Sequence, residues 1–202
     1  MRRFFAVSLA LILSIAASSA GEFNKVLSVG DTAPVFEGLD GTDGTKHALT
    51  DFKDKSAIVV IFTCNSCPVA NLYEERIAAL AKKYAEGADA KVAVVAINPN
   101  VVPEDRMDKM IERAKKKKYS YLYLADPTQK TAKAYGAMYT PEFFVLDRDR
   151  KIAYMGSLDD TSQADKVKDQ FVAAALDAIL AGKKPEKGET LARGCKVRYT
   201  VR

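Results

Sequence analysis

The sequence predicts an α/β fold in which helices flank a central mixed sheet. Two apolar runs rich in β-branched residues, 57–63 and 91–97, are typical of strands buried on both faces. Each run is followed by a segment with the helical spacing of apolar residues. A hairpin pattern over 143–155 adds antiparallel strands to an otherwise parallel sheet.

The first half of the domain supplies two strand–helix units. The strand 57–63 leads into a helix that begins at Pro68 and fades at Gly87. The strand 91–97 leads into a helix that Pro103 opens. The apolar stripe of the first helix contains Leu72, Ile77, Leu80 and Ala81, and that of the second contains Met107, Met110, Ile111 and Ala114. We expect both stripes to pack against the sheet.

The second half supplies one more unit, the hairpin and a closing helix. Residues 121–124 predict a short strand, and residues 129–135 predict a short helix. The runs 143–146 and 151–155, joined by a charged turn, predict the hairpin. A last amphipathic pattern predicts a helix over 163–181.

Length and composition indicate one globular domain. The 202 residues are 48% hydrophobic and 28% charged, which disfavours disordered, collagen-like and polytopic membrane proteins. The net charge of +5 is concentrated in residues 182–202, which carry seven basic and two acidic side chains. Positive charge confined to a tail does not predict a nucleic-acid partner. We therefore expect one domain over 21–202 that ends in a basic tail.

The first twenty residues differ from the rest of the chain. Two arginines precede the apolar run 4–17, and small residues follow it up to Ala20. This order predicts a secretory signal peptide over 1–20 that is cleaved before Gly21, with a retained anchor helix as the alternative. The mature chain should then be periplasmic or secreted and have no stable membrane span.

Three cysteines remain in the predicted mature chain: Cys64, Cys67 and Cys195. The first two lie where the strand 57–63 passes into a helix, and Pro68 suits the first turn of that helix. Two thiols at this spacing can close a reversible disulfide, and a helix N-terminus stabilises a thiolate. We predict that Cys64 attacks as the nucleophile and that Cys67 resolves the mixed disulfide. Two buried core cysteines or an inert disulfide are the alternatives.

Most of the chain from 28 to 157 resembles the thioredoxin-like redoxin group. That group includes the alkyl hydroperoxide reductase and thiol-specific antioxidant proteins and exported thiol–disulfide oxidoreductases. The matching segments are Gly30–Phe36, Cys64–Pro68, Ala125–Pro127, Ala134–Gly136, Thr140–Asp147, Lys151–Ile152 and Gly156. The late Gly194-Cys195 pair resembles a peroxiredoxin-like branch with both a CxxC and a late Gly-Cys. The resemblance implies a thioredoxin-like fold with an extra strand–helix unit at 121–136.

The resemblance also implies a place where a partner binds. Pro141 would be the cis-proline of the fold, across from the cysteines, and Thr140 would present its backbone to an extended partner segment. A trans turn proline is the alternative. The preferred function is an exported thiol–disulfide oxidoreductase without a cofactor or metal. Its partners would be protein or small-molecule thiols or disulfides and an unidentified electron donor or acceptor.

The sequence departs from two patterns of the group. A peroxiredoxin has a Pro seven residues and a Thr or Ser three residues before its peroxidatic cysteine, and neither cysteine of the pair has them. Peroxide reduction is therefore not predicted by motif. Thioredoxin has a Trp and a buried Asp where this chain has Thr63 and Ile58. The general base is open, since Glu74 and Glu75 are near in sequence but are more simply explained as solvated helix residues.

The role of Cys195 and two other functions stay open. Cys195 is interpreted as an additional resolving thiol, an interchain partner or a buried small apolar residue. A thiol-dependent peroxidase is the alternative enzyme. A Cu(I)-binding module that uses the cysteines is the alternative outside catalysis. His47, the only histidine, is interpreted as a surface residue.

Overall fold

The computed structural model describes residues 21–200, so the predicted signal peptide over 1–20 lies outside the described residues. The strands in this range are β1 (Leu39–Gly41), β2 (Lys46–His47), β3 (Ala57–Phe62), β4 (Val92–Asn98), β5 (Leu122–Ala125), β6 (Tyr139–Thr140), β7 (Glu142–Leu146), β8 (Ile152–Gly156) and β9 (Cys195–Lys196). The α-helices are α1 (Pro68–Ala85), α2 (Met107–Lys117), α3 (Lys130–Ala134) and α4 (Phe171–Leu180).

Seven of these strands form one mixed sheet in the order β2-β1-β5-β4-β3-β7-β8. The strand β3 is parallel to β4 on one side and antiparallel to β7 on the other. The strands β4 and β5 are also parallel, and β7 and β8 form the predicted hairpin. The α/β class and the mixed sheet are therefore confirmed. All six residues of β3 are buried, as its unbroken apolar run indicates.

The core has one apolar layer on each face of the sheet. On one face, Val59 of β3 belongs to a cluster with Tyr73 of α1 and Leu176 of α4. On the other face, Val60 belongs to a cluster with Tyr135. Because successive side chains of a strand point to opposite faces, a single apolar run fills both layers.

The ends of two predicted helices differ from the structure. The helix α2 begins at Met107 rather than at Pro103, because residues 103–105 form a separate 3-10 turn. The helix α4 begins at Phe171 rather than at 163. The Lys168 N–H donates to the Asp160 carboxylate at 3.0 Å, so the segment before α4 is held as a loop.

The predicted apolar stripes are right in part. The buried residues of α1 are Ala70, Tyr73, Glu74, Ile77, Leu80 and Ala81. The placement of Leu72 in that stripe is wrong, since its side chain is 58% exposed and lies off the face that carries Ile77. In α2, Met110 is the buried member of the stripe.

The C-terminal segment packs back onto the domain. The Met155 N–H donates to the Gly188 carbonyl at 3.0 Å, and the Thr190 N–H donates to the Met155 carbonyl at 3.0 Å. Further along, β9 pairs with β6 in a separate two-stranded sheet. The sequence does not predict this second sheet. The pairing of β9 with β6 brings the late cysteine, Cys195, next to Thr140.

Candidate redox-active site

Cys67 caps the N-terminus of α1. Its sulfur accepts a hydrogen bond from the Ala70 N–H at 3.3 Å, and Pro68 occupies the first turn of the helix. Unpaired backbone donors and the helix dipole favour negative charge at this place. The stabilisation expected from the helix N-terminus therefore reaches the Cys67 sulfur directly, whereas Cys64 lies three residues before it.

The structure joins Cys67 to Cys195 in a disulfide and leaves Cys64 as a thiol. The Cα atoms of the joined residues are 5.9 Å apart, although 128 positions separate them in the sequence. The spacing of the CxxC predicts a ring between Cys64 and Cys67, so the structure differs from that expectation in the partner of Cys67. The cause is tertiary, because the pairing of β9 with β6 delivers Cys195 to the CxxC.

Thr140 lies against both cysteines of the CxxC. Its hydroxyl oxygen is 3.4 Å from Cys64 Sγ, and its carbonyl oxygen is 3.0 Å from Cys67 Sγ. Thr140 is fully buried, and its peptide bond to Pro141 is cis, as the resemblance implies. The residues predicted to dock a partner and those predicted to exchange disulfides therefore lie together.

Cys64 is a buried thiol with 4% of its surface exposed. Burial raises the pKa of the Cys64 thiol, and the negative charge of Asp105 raises it further, while hydrogen bonds with Thr140 and Ser66 partly offset both effects. The predicted low-pKa thiolate is thus not found at Cys64 while the tail disulfide is closed. The thiol is held neutral instead.

Asp105 fixes the loop between the two CxxC cysteines. Its carboxylate accepts from the Asn65 N–H at 2.6 Å, from the Ser66 N–H at 3.1 Å and from the Ser66 hydroxyl at 2.6 Å. Asp105 itself is only 3% exposed. Three donors on one buried carboxylate hold the loop in a single conformation.

Sequence reasoning missed Asp105, although a signal was present. The residue lies at the end of the 3-10 turn 103–105, in the connection that follows β4, and β4 is parallel to the strand that delivers Cys64. Because the carboxyl ends of neighbouring parallel strands meet at one edge of a sheet, a polar residue there is a candidate for the same site.

Two buried side chains extend the network from neighbouring strands. The Tyr123 hydroxyl of β5 donates to Asn65 Oδ1 at 3.0 Å. The Asn98 amide of β4 donates to the Tyr123 hydroxyl at 3.2 Å. The CxxC loop is therefore bonded to two strands besides the one that precedes it, which limits its motion.

Neither glutamate considered as a base serves the cysteines. Glu74 is buried, and its carboxylate accepts from Arg113 and from the Tyr119 hydroxyl, each at 2.5 Å, with Lys117 Nζ at 3.2 Å. Desolvation by burial opposes this charge, but the hydrogen bonds prevail and lower the pKa of Glu74. Glu75 is exposed on the same helix. The interpretation of Glu74 as a solvated residue is therefore wrong, because it anchors α1 to α2.

The histidine and the possible metal ligands lie elsewhere. His47 is half-buried on β2, where its Nε2 is 2.8 Å from the Thr45 hydroxyl and 2.9 Å from Asp43 Oδ2. The strand β2 is at the sheet edge, four strands from β3. Within residues 21–200, no group of three or more His, Cys, Asp and Glu side chains is arranged to hold a metal ion.

A mixed sheet that delivers a CxxC to a helix N-terminus, with a cis-proline beside the sulfurs, defines the thioredoxin-like class of thiol proteins. The chain belongs to the Redoxin family, whose model matches residues 28–171. Redoxin membership supports an oxidoreductase in general. A comparison with curated proteins gives no match.

Solved structures share the fold of this chain. A hypothetical protein from Sinorhizobium meliloti is 35% identical, with a TM-score of 0.81 over 89% of this chain and 98% of that one. An uncharacterized conserved protein from Geobacillus kaustophilus is 34% identical, with a TM-score of 0.81 over 89% and 96%. A thiol:disulfide interchange protein of the thioredoxin family from Chlorobium tepidum is 19% identical, with a TM-score of 0.53 over 63% and 86%, and shares the fold.

Proposed function

We propose that the protein is an exported thiol–disulfide oxidoreductase in which one disulfide moves among Cys64, Cys67 and Cys195. The observation that carries the proposal is the contact of Thr140 with both a free thiol and a disulfide sulfur, at 3.4 and 3.0 Å. A thiol beside a disulfide is the arrangement that exchange requires, because a thiolate attacks a disulfide sulfur directly.

The first two steps oxidise the protein and reduce a partner. In the trithiol form, the Cys64 thiolate attacks one sulfur of the partner disulfide, and the other partner sulfur leaves as a thiolate that takes up a proton. The Cys67 thiolate then attacks Cys64 Sγ, which closes Cys64–Cys67 and releases the second partner thiol. Two electrons pass from the protein to the partner.

The third step moves the disulfide without further oxidation. The Cys195 thiolate attacks Cys67 Sγ, which closes Cys67–Cys195 and returns Cys64 to a thiol. Cys64 is the leaving thiolate of this step and takes up a proton. Cys67 becomes the leaving thiolate when a reductant attacks Cys195, and its place at the N-terminus of α1 favours that role. A dithiol reductant then reopens Cys67–Cys195 at the half-buried Cys195, the more accessible of the two sulfurs, and completes the cycle.

Reduction of insulin by dithiothreitol tests this function. We expect the wild-type protein to accelerate the reaction, and Cys64→Ser to bring the rate to that of dithiothreitol alone. When reduced Cys67→Ser protein is mixed with insulin in the absence of dithiothreitol, a mixed disulfide should accumulate, and added dithiothreitol should remove it. Cys195→Ser is the matched control, since exchange through Cys64 and Cys67 persists in it. Turnover by Cys64→Ser at the wild-type rate would overturn the mechanism, and a parallel assay with hydrogen peroxide tests the alternative peroxidase.

Export is proposed from the sequence of residues 1–20 and supported by the disulfide, since such bonds persist in oxidising compartments. Across residues 21–200, the structure contains no helix with the length and apolar character that a membrane crossing needs. Mass spectrometry of the protein from culture fractions tests the proposal. An N-terminus at Gly21 in the exported fraction is expected, and intact residues 1–20 in the cytosolic fraction would contradict it.

A further inference from the structure

The C-terminal strand β9 occupies the edge at which a partner would dock. Cys195 is the direct antiparallel partner of Thr140, and Lys196 is that of Tyr139. The Val197 N–H donates to the Met138 carbonyl at 2.9 Å, and the Thr140 hydroxyl donates to the Cys195 carbonyl at 3.5 Å. Backbone pairing of this kind is how an extended peptide adds to a strand edge.

The same segment is also held at the CxxC by a disulfide, to Cys67, whereas a partner is first bonded to the neighbouring Cys64. The disulfide between Cys195 and Cys67 lies against Thr140. Resting on the function proposed above, we infer that residues 194–197 are a tethered copy of the substrate and that the site selects extended chains with glycine immediately before the reactive cysteine.

The selectivity follows from the space around Gly194. A Cβ at this position would collide with the Thr140 carbonyl group and lie 3.1 Å from the Pro141 nitrogen. These are backbone atoms next to the sulfurs, so they cannot move aside as the end of a flexible side chain would. A partner that pairs in the same register meets the same restriction before its cysteine.

The remaining positions of the segment show what else the edge accepts. Arg193 and Lys196 are exposed, so the side chains at those places are free to vary. Val197 is 7% exposed, so an apolar residue two positions after the cysteine is favoured. The preferred partner is thus an extended chain with glycine, cysteine, any residue and an apolar residue in succession.

The tail and a partner should compete for the same strand edge. Tail and partner pair with the same two residues of β6, so only one of them can be bound at a time. When the disulfide of Cys195 is reduced, hydrogen bonds alone hold the tail: the two-residue pairing of β9, the bond from Val197 to Met138, and the bond from the Tyr199 hydroxyl to the Ala137 carbonyl at 2.6 Å. Weakening that pairing should therefore open the site to added peptides.

Two peptides test the selectivity on the reduced wild-type protein. The first has the sequence of residues 193–197, with its cysteine in a mixed disulfide with thionitrobenzoate, and the second has alanine in place of the glycine. We expect the glycine peptide to release thionitrobenzoate about tenfold faster, since the added methyl group overpacks the edge. Equal rates with both peptides would overturn the inference and leave the proposed function standing. No release from either peptide, together with no insulin reduction, would instead remove the proposed function.

A variant of the tail tests the competition. Gly194→Ala should loosen the tail and speed the reaction of the reduced protein with the glycine peptide several-fold, while the preference over the alanine peptide is kept. Gly188→Ala is the matched control, because the atoms nearest to a Cβ there belong to the Val29 side chain, at 3.0 Å and beyond. A Gly194→Ala protein that reacts no faster than the Gly188→Ala protein would contradict the shared edge.

Discussion

Thr140 and Cys195 face each other across the antiparallel pairing of β6 and β9, although 55 positions separate them in the chain. This pairing places the late cysteine beside the CxxC and covers the edge that a partner would use. The register of this pairing thus determines which disulfide forms, and the pairing itself controls whether a partner has access to the edge.

The tail disulfide should contribute strongly to stability. It closes a loop of 128 positions, and a loop of that size restricts the unfolded chain by roughly 4 to 5 kcal/mol. We expect Cys195→Ser to lower the free energy of unfolding of the oxidised protein by about this amount, measured by urea denaturation. In dithiothreitol the two proteins should be equally stable, and a difference that persists there would show another role for the cysteine.

The same variant should reveal the alternative disulfide. With Cys195 replaced, the remaining thiols of Cys64 and Cys67 are expected to join under mild oxidation, because both sulfurs contact Thr140. Peptide mapping by mass spectrometry without reduction identifies the bond. Two free thiols after oxidation would contradict the passage of a disulfide through Cys67.

Asp105 should raise the pKa of Cys64 through its charge. We expect Asp105→Asn to lower that pKa and to increase the rate of alkylation of Cys64 at neutral pH, followed against pH in the oxidised protein. The variant also weakens charged hydrogen bonds to the CxxC loop, so the free energy of unfolding should fall by about 1 to 3 kcal/mol. Glu104→Gln, at an exposed neighbour, is the control, and an unchanged titration midpoint in Asp105→Asn would contradict the electrostatic role.

Glu74 should stabilise the fold and have little effect on the rate of disulfide exchange. Its carboxylate binds Arg113 and Tyr119 between two helices, so Glu74→Gln is expected to lower the free energy of unfolding by about 2 to 3 kcal/mol. Insulin reduction should change by less than about twofold at a temperature where the variant is folded. Glu75→Gln, at an exposed position, should change neither. A large loss of exchange in folded Glu74→Gln would restore it as a candidate base.

Much of the fold could be predicted because buried parallel strands have a strong local pattern. The runs that form β3 and β4 are apolar throughout, and the helix after Cys67 is set by Pro68 and the spacing of its apolar residues. The hairpin of β7 and β8 is local as well. The two-residue strands β6 and β9 have no such pattern, since their pairing depends on the rest of the fold.

The site could be predicted only as far as its residues are close in sequence. The CxxC and the cis bond before Pro141 follow from local motifs and the resemblance. The disulfide between Cys67 and Cys195 and the contact of Asp105 with the loop join distant segments. Burial also reverses the expected shift of the Cys64 pKa, and burial is a property of the assembled domain.

Glu142 should make stability depend on pH near neutrality. It follows Pro141 directly, is 6% exposed, and its carboxylate accepts from the Met138 N–H at 2.7 Å and the Tyr139 N–H at 2.9 Å. Burial raises the pKa of Glu142 to about 7, against the effect of these two bonds. The folded protein therefore binds a proton that the unfolded chain, with an ordinary carboxyl pKa near 4.3, has released.

The sign of the effect follows from that difference in bound protons. Between about pH 4.5 and 7 the folded state holds more protons than the unfolded state, so the free energy of unfolding falls as pH rises through this window. The loss attributable to Glu142 is on the order of 3 kcal/mol. Glu142→Gln, which stays neutral, should remove this slope in urea denaturation at pH 5 and pH 8. An equal slope in the variant and the wild type would contradict this prediction. It would show that the Glu142 carboxylate is already ionised in the folded protein.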